Sequence, residues 1–209
     1  LNRIMKNALP FVLFFLSVTL CLGQYDKSMA NFNLGFEGKQ GLDSLADKWF
    51  QWGHNYKIRI DTHNKYSGKS SVLIVPGSER SANAFGCIAT AMPAIYDAKE
   101  IELKAYMKLN KVHNGPIGLM IRIDGNSSVV GFENMQGRNI QGTMDWTLFS
   151  VKIPYPRNAK TIYIGAILSG LGQLWVDDFQ ILLDGKDISE APANKPKEFK
   201  ADKDKEFDS

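Results

Sequence analysis

The chain has 209 residues, 44% of them hydrophobic and 22% charged, with 25 Lys+Arg against 22 Asp+Glu. Arg3 and Lys6 fall in an N-terminal leader, and without them the basic count drops to 23, close to balance. Such a chain lacks the basic face that nucleic acid requires, so no nucleic-acid partner is expected.

Residues 1–23 read as a secretory signal peptide. Arg3 and Lys6 give the positive start, Leu9 to Leu22 is almost wholly apolar, and small Gly23 precedes Gln24. Translation can begin at Met5. The apolar run is shorter than the roughly 20 residues a membrane helix needs, so the mature chain is expected to carry no membrane span. The expected location is secreted, periplasmic or cell-surface. Leu20 is too large for the position before a lipidated cysteine, which argues against lipidation at Cys21. Cys87 is the only other cysteine, so the mature chain can form no intrachain disulfide. It lies in the apolar run Ala84–Ile88, with no His nearby in sequence, and reads as a buried structural thiol.

From 31 to 187 the dominant period is two. In Glu100–Asn110, Ile101, Leu103, Ala105, Met107 and Leu109 share one face, while Glu102, Lys104 and Lys108 take the other, as in a half-buried strand. Similar runs are Tyr56–Asp61, Ser71–Val75, Ala84–Ala91, Gly118–Asp124, Val129–Asn134, Trp146–Ile153, Thr161–Leu168 and Gln173–Leu183. Turn residues separate them, among them Tyr66-Ser-Gly68, Pro76-Gly77, His113-Asn-Gly-Pro116 and Asp184-Gly185. Asp124-Gly-Asn-Ser127 marks a hairpin. Leu42, Leu45, Ala46 and Trp49 predict one short helix within Gly41–Phe50. Nine or ten short strands predict an all-β fold, an antiparallel β-sandwich of jelly-roll, galactose-binding-like form. Residues 188–209 read as a charged linker to a further domain. The bias sets in at Ala191, where Lys, Asp, Glu and Pro leave too little apolar surface to offset chain entropy.

Carboxylates mark both ends of the module. Asn33-Leu-Gly-Phe-Glu37 supplies one, and Gly172-Gln-Leu-Trp-Val-Asp-Asp178 supplies two. First and last strands of a sandwich can lie side by side, so Glu37 and Asp178 are candidate ligands of a structural calcium, with carbonyls from Ser67-Gly-Lys69. Adjacent aspartates point to opposite faces of a strand, which selects Asp178 over Asp177. The alternative is that these acids accept backbone amides. Trp49, Phe50, Trp52 and Tyr56 cluster, and at least one of Trp49 and Trp52 is expected to face solvent, where a sugar could stack on it. Trp146 and Trp175 are expected in the core. Arg59, Asn134, Gln136 and Arg138 are candidate hydrogen-bonding ligand residues, the last three from the amide-rich stretch Phe132–Trp146. That stretch either lines a groove or stabilises a long loop.

The search for catalytic groups finds no constellation. His54, His63 and His113 show no metal spacing, and Gly-x-Ser-x-Gly and phosphate loops are missing from the sequence. No spacing singles out two of Glu37, Glu133, Asp145 and Asp178 as a glycosidase pair. The chain alone is therefore not expected to be an enzyme.

Asn33–Glu37, Tyr66-Ser-Gly-Lys-Ser70, Asn134–Trp146, Gly172–Asp178 and Asp202–Asp208 together resemble the N-terminal module of secreted Bacteroidetes hydrolases. In these a tail-specific, C-terminal-processing type serine peptidase domain follows, or sometimes an esterase-like domain. The resemblance implies a catalytic domain beyond Ser209 and carries no catalytic residue into this chain. A second resemblance, to calcium-containing carbohydrate-binding modules, rests on Gly35-Phe-Glu37, Tyr66–Ser70 and Val176-Asp-Asp178, and implies Glu37 and Asp178 as ion ligands. The expected function is a noncatalytic accessory module binding a glycan or cell-envelope polymer. The alternatives are a part that only orients or regulates a peptidase domain, and a structural or protein-docking module.

Overall fold

Period-two runs flanked by turn residues can bury one face only by pairing into sheets, and two sheets form here. The computed structural model describes residues 32–38, 45–79 and 83–191. The expected signal peptide and the tail from 192 lie outside the described residues. The strands are β1 (Phe50–His54), β2 (Tyr56–Asp61), β3 (Ser71–Pro76), β4 (Phe85–Pro93), β5 (Glu100–His113), β6 (Ile117–Asp124), β7 (Val129–Glu133), β8 (Gly142–Pro154), β9 (Thr161–Leu168), β10 (Leu171–Leu183) and β11 (Lys186–Asp187). A five-stranded sheet has the order β1-β4-β9-β6-β7, and a six-stranded sheet runs β2-β3-β10-β5-β8 with β11 on β10. All pairings are antiparallel. The fold is an antiparallel jelly-roll β-sandwich, as the alternation predicts.

The core fills the space between the sheets. Ile101, Leu103, Ala105 and Met107 of β5 meet Ile121, Ile123, Ile162 and Ile164 of the opposite sheet in one fully buried cluster. One end is closed by three rings. Trp49 lies 4.8 Å from Phe36 and 5.0 Å from Phe179, centroid to centroid. A second cluster, Phe50, Trp52, Cys87, Ala89, Met120, Tyr163 and Ile167, covers the other side of the five-stranded sheet. Strands β6 and β9 are therefore buried on both faces.

Three expectations are corrected. Residues 33–37 form a turn rather than a strand, with Asn33 and Phe36 at φ 52° and 58°. The Asn33 side chain closes it, accepting from the Gly38 amide at 2.8 Å and donating to the Asp47 carbonyl at 3.1 Å. The segment still reaches the last long strand, since the Phe179 amide donates to the Leu34 carbonyl at 3.0 Å. Residues 45–50 are not helical, and Phe50 opens a strand that periodicity missed. Core packing also runs beyond Asp187, where a 3-10 turn over Ile188–Glu190 buries Ile188.

Candidate functional site

The end carboxylates do converge, on one loop. Glu37 accepts from the Lys69 amide at 2.8 Å and the Ser70 amide at 3.3 Å. Asp177, fully buried, accepts from the amides of Tyr66 at 2.9 Å, Ser67 at 3.2 Å and Asp178 at 2.8 Å. Asp178 accepts from the Ser67 hydroxyl at 2.7 Å. The expectation that adjacent aspartates oppose one another fails here. The β5–β10 register shifts between Asp177 and Gln180, and Asp178 takes φ 48°, so both side chains turn to the same loop. Burial, reinforced by the neighbouring Asp178, pushes the Asp177 carboxyl up to about 7 against its amide hydrogen bonds. None of the three acids is ion-paired to a basic side chain among the described residues. That charge surplus suits a cation. Among the described residues, however, no three His, Cys, Asp or Glu side chains stand close enough to hold a metal by themselves. An ion here would need carbonyl or water oxygens to complete its shell.

The tryptophans are not where a sugar was expected to find them. Trp49 is 5% exposed inside the sandwich, and its indole N–H donates to the Asn33 carbonyl at 3.0 Å. Trp52 is also 5% exposed, packed 5.1 Å from Phe50 and 5.0 Å from Tyr163. Neither offers a face to solvent. Trp49 precedes β1 and escapes its alternation, while Trp52 lies in the apolar layer on the far side of the sheet. Trp146, expected in the core, is half-buried on the outer side of the six-stranded sheet. Trp175 is buried but on that same outer side, donating to the Asp61 carboxylate at 2.8 Å. Burial opposes ionisation of Asp61, yet this bond and those from His63 and Asn64 prevail and hold it at about 2. Arg59 is exposed on the outer side of β2, apart from Asn134, Gln136 and Arg138. Cys87 is fully buried, and burial pushes its thiol pKa up.

The amide-rich stretch builds the other site. After β7 the chain makes a 3-10 turn, Gln136–Arg138, flanked by Met135 and Asn139 in left-handed conformation. Buried Met135 anchors it, its amide donating to Glu133 at 2.7 Å and its sulfur accepting from the Leu119 amide at 3.2 Å. Arg138 donates to the Ser150 carbonyl at 2.7 Å, and the Asn134 side chain accepts from the Gln136 amide at 3.1 Å. Both are thus tied up in shaping the loop. Gln136, Asn139, Ile140 and Gln141 form one wall of a cleft of about 310 Å³, and Gly115, Pro116 and Ile117 form the other. Gly115 is required, because a Cβ there would stand 1.1 Å from the Ser169 carbonyl oxygen. Tyr56 reinforces that wall, its hydroxyl donating to the Gly170 carbonyl and accepting from the Gly170 amide, both at 2.7 Å. Among the described residues, no charged side chain lines the cleft. Asn139 and Gln141 were not singled out in sequence, although the repeated amides of Asn134–Gln141 pointed to them.

This shape is found among solved proteins. The tandem CBM22-1-CBM22-2 domain of Paenibacillus barcinonensis Xyn10C matches at a TM-score of 0.50 and 16% identity, over 71% of this chain and 43% of that one. The single CBM22-1 xylan-binding domain of the same protein matches at 0.48 and 16%, over 71% and 90%. The tandem domain and this chain share the β-sandwich fold. At this identity the likeness is one of architecture. No protein-family model matches the chain. Among curated proteins it is 29% identical over 124 residues to the uncharacterized HTH-type transcriptional regulator YbfP of Bacillus subtilis (strain 168). The alignment takes in 58% of this chain and 42% of that protein, so the chain spans less than half of that relative. Among the described residues no helix is long and apolar enough to cross a membrane.

Proposed function

We propose that the chain is a noncatalytic accessory module that binds a glycan or cell-envelope polymer outside the cytoplasm. The observation that carries this reading is the cleft between Gly115–Ile117 and Gln136–Gln141. Its side chains are amides and short apolar groups, a lining matched to uncharged hydroxyls and sugar C–H faces rather than to phosphate or carboxylate. The carbohydrate-binding-module architecture supports it. The module would serve a hydrolase domain in the same polypeptide, a serine peptidase by the resemblance in sequence. It would hold that domain near its polymer. Glu37 and Asp178, with buried Asp177 behind them and carbonyls of the 66–70 loop, would hold a structural calcium that pins the loop.

The test is calorimetric titration with xylan, galactan and mixed β-glucan fragments, and pull-down on peptidoglycan sacculi. The expected result is binding of at least one, weakened about tenfold by Asn139→Ala with Gln141→Ala, as for a lost pair of hydrogen bonds. If the folded protein binds none of them, the glycan reading fails, and a docking or peptidase-orienting role takes its place. The mass of the native secreted protein then decides whether a catalytic domain accompanies it.

A further inference from the structure

We propose that the cleft between Gly115–Ile117 and Gln136–Gln141 selects its glycan by acetamido groups, so that the sugar it holds is an N-acetylated hexosamine. This rests on the glycan reading above and narrows it to one substituent. The cleft, about 310 Å³, is at the small end of ligand clefts and takes only a short stretch of a polysaccharide. Selectivity must then come from the groups that this stretch carries. Sugar rings are commonly held by stacking their C–H faces on aromatic side chains. Among the described residues no aromatic side chain lines the cleft. Its apolar surface is aliphatic, Pro116 and Ile117 on one wall and Ile140 on the other. A methyl group seated between them has carbon neighbours on both sides, whereas the broad face of a sugar ring finds no flat partner on either.

The polar atoms fit the rest of the group. Gln141 Nε2 donates to Asn139 Oδ1 at 2.6 Å. Joined in this way, the two amides leave Asn139 Nδ2 as a donor and Gln141 Oε1 as an acceptor, neither engaged elsewhere among the described residues. An acetamido group presents the complement on one planar unit, a carbonyl that accepts and an N–H that donates. A hydroxyl in the same place brings neither that spacing nor a methyl. The Gln136 side chain, on the same wall, is left for neighbouring hydroxyls. The pair is preset, because Asn139 takes φ 50° directly after the 3-10 turn that buried Met135 anchors. With no charged side chain in the lining among the described residues, a free amine or a uronate gains no partner there.

Calorimetric titration with chitotetraose and cellotetraose tests this, since the first carries an acetamido group where the second carries a hydroxyl. Chitotetraose should bind about tenfold more tightly. Asn139→Asp keeps the acceptor for Gln141 and tolerates the left-handed backbone, but loses the donor. It should weaken chitotetraose about tenfold and move cellotetraose by no more than about twofold. Near-UV circular dichroism checks that the variant stays folded, as expected for an exposed side chain. Peptide-free glycan strands of peptidoglycan separate the sources. Binding of both these and chitotetraose assigns a cell-wall glycan, binding of chitotetraose alone assigns a chitin-like one, and either supports the acetamido group as the recognised feature. Cellotetraose bound as tightly as chitotetraose overturns the inference and leaves the glycan reading standing. So does binding of xylan or galactan fragments without chitotetraose, or an undiminished preference in folded Asn139→Asp. If the folded protein binds no glycan at all, the glycan reading falls and this inference with it.

Discussion

Asp177 is a carboxylate with no exposed surface whose hydrogen bonds all come from backbone amides. Its pKa, pushed up to about 7, lies above the ordinary carboxylate value, so between those two values the native state holds a proton that the unfolded chain has released. The stability it contributes is complete below the unfolded pKa and is lost as pH rises through about 7. In chelator-containing buffer the melting temperature should therefore fall from about pH 5 to about pH 8 by this group, and Asp177→Asn should flatten that slope. Thermal melts across the range decide it; an unchanged slope in the variant would assign the effect elsewhere. Trp49 acts by packing. Trp49→Ala opens the three-ring end of the core and should cost about 3–5 kcal/mol in urea unfolding. Its role was legible only in part. An aromatic next to a strand reads equally as platform or plug, and only contact with Phe36 and Phe179 decides for the plug.

At the scale of elements, the 66–70 loop is the part most open to test. Three carboxylates gather on it without a basic side chain among the described residues. If calcium joins them, adding it should raise the melting temperature, by the equivalent of about 2.7 kcal/mol at a hundred times its Kd. Glu37→Gln and Asp178→Asn should remove most of that gain; equal gains in wild type and variants would disprove the site. The sequence placed Glu37 and Asp178 at this loop yet missed Asp177. Strict alternation sends Asp177 away, and the irregularity that turns both inward uses Asp178 at positive φ rather than a telltale glycine. The same holds at residues 33–37, where Asn33 and Phe36 adopt left-handed conformations that the pattern Asn-Leu-Gly-Phe-Glu does not advertise.

For the whole molecule, alternation in β5 and its neighbours was enough to read an antiparallel sandwich. It could not say which outer faces are apolar, because Phe50, Trp52 and Tyr163 are as hydrophobic as core residues while lying outside it. The cleft depends on loops crossing from one strand to another, and no local period reports that. The strand order carries one further consequence. In the six-stranded sheet β10 lies between β3 and β5, pairing Val176 with both Val72 and Met107. Without it, β2–β3 and β5–β8 are two ribbons with bare edges. A nascent chain emerging N-terminus first cannot close this sheet until Leu171–Leu183 has left the ribosome. Until then it carries unpaired edges that invite chaperones or other chains, and the closing step joins partners distant in sequence, a slow event.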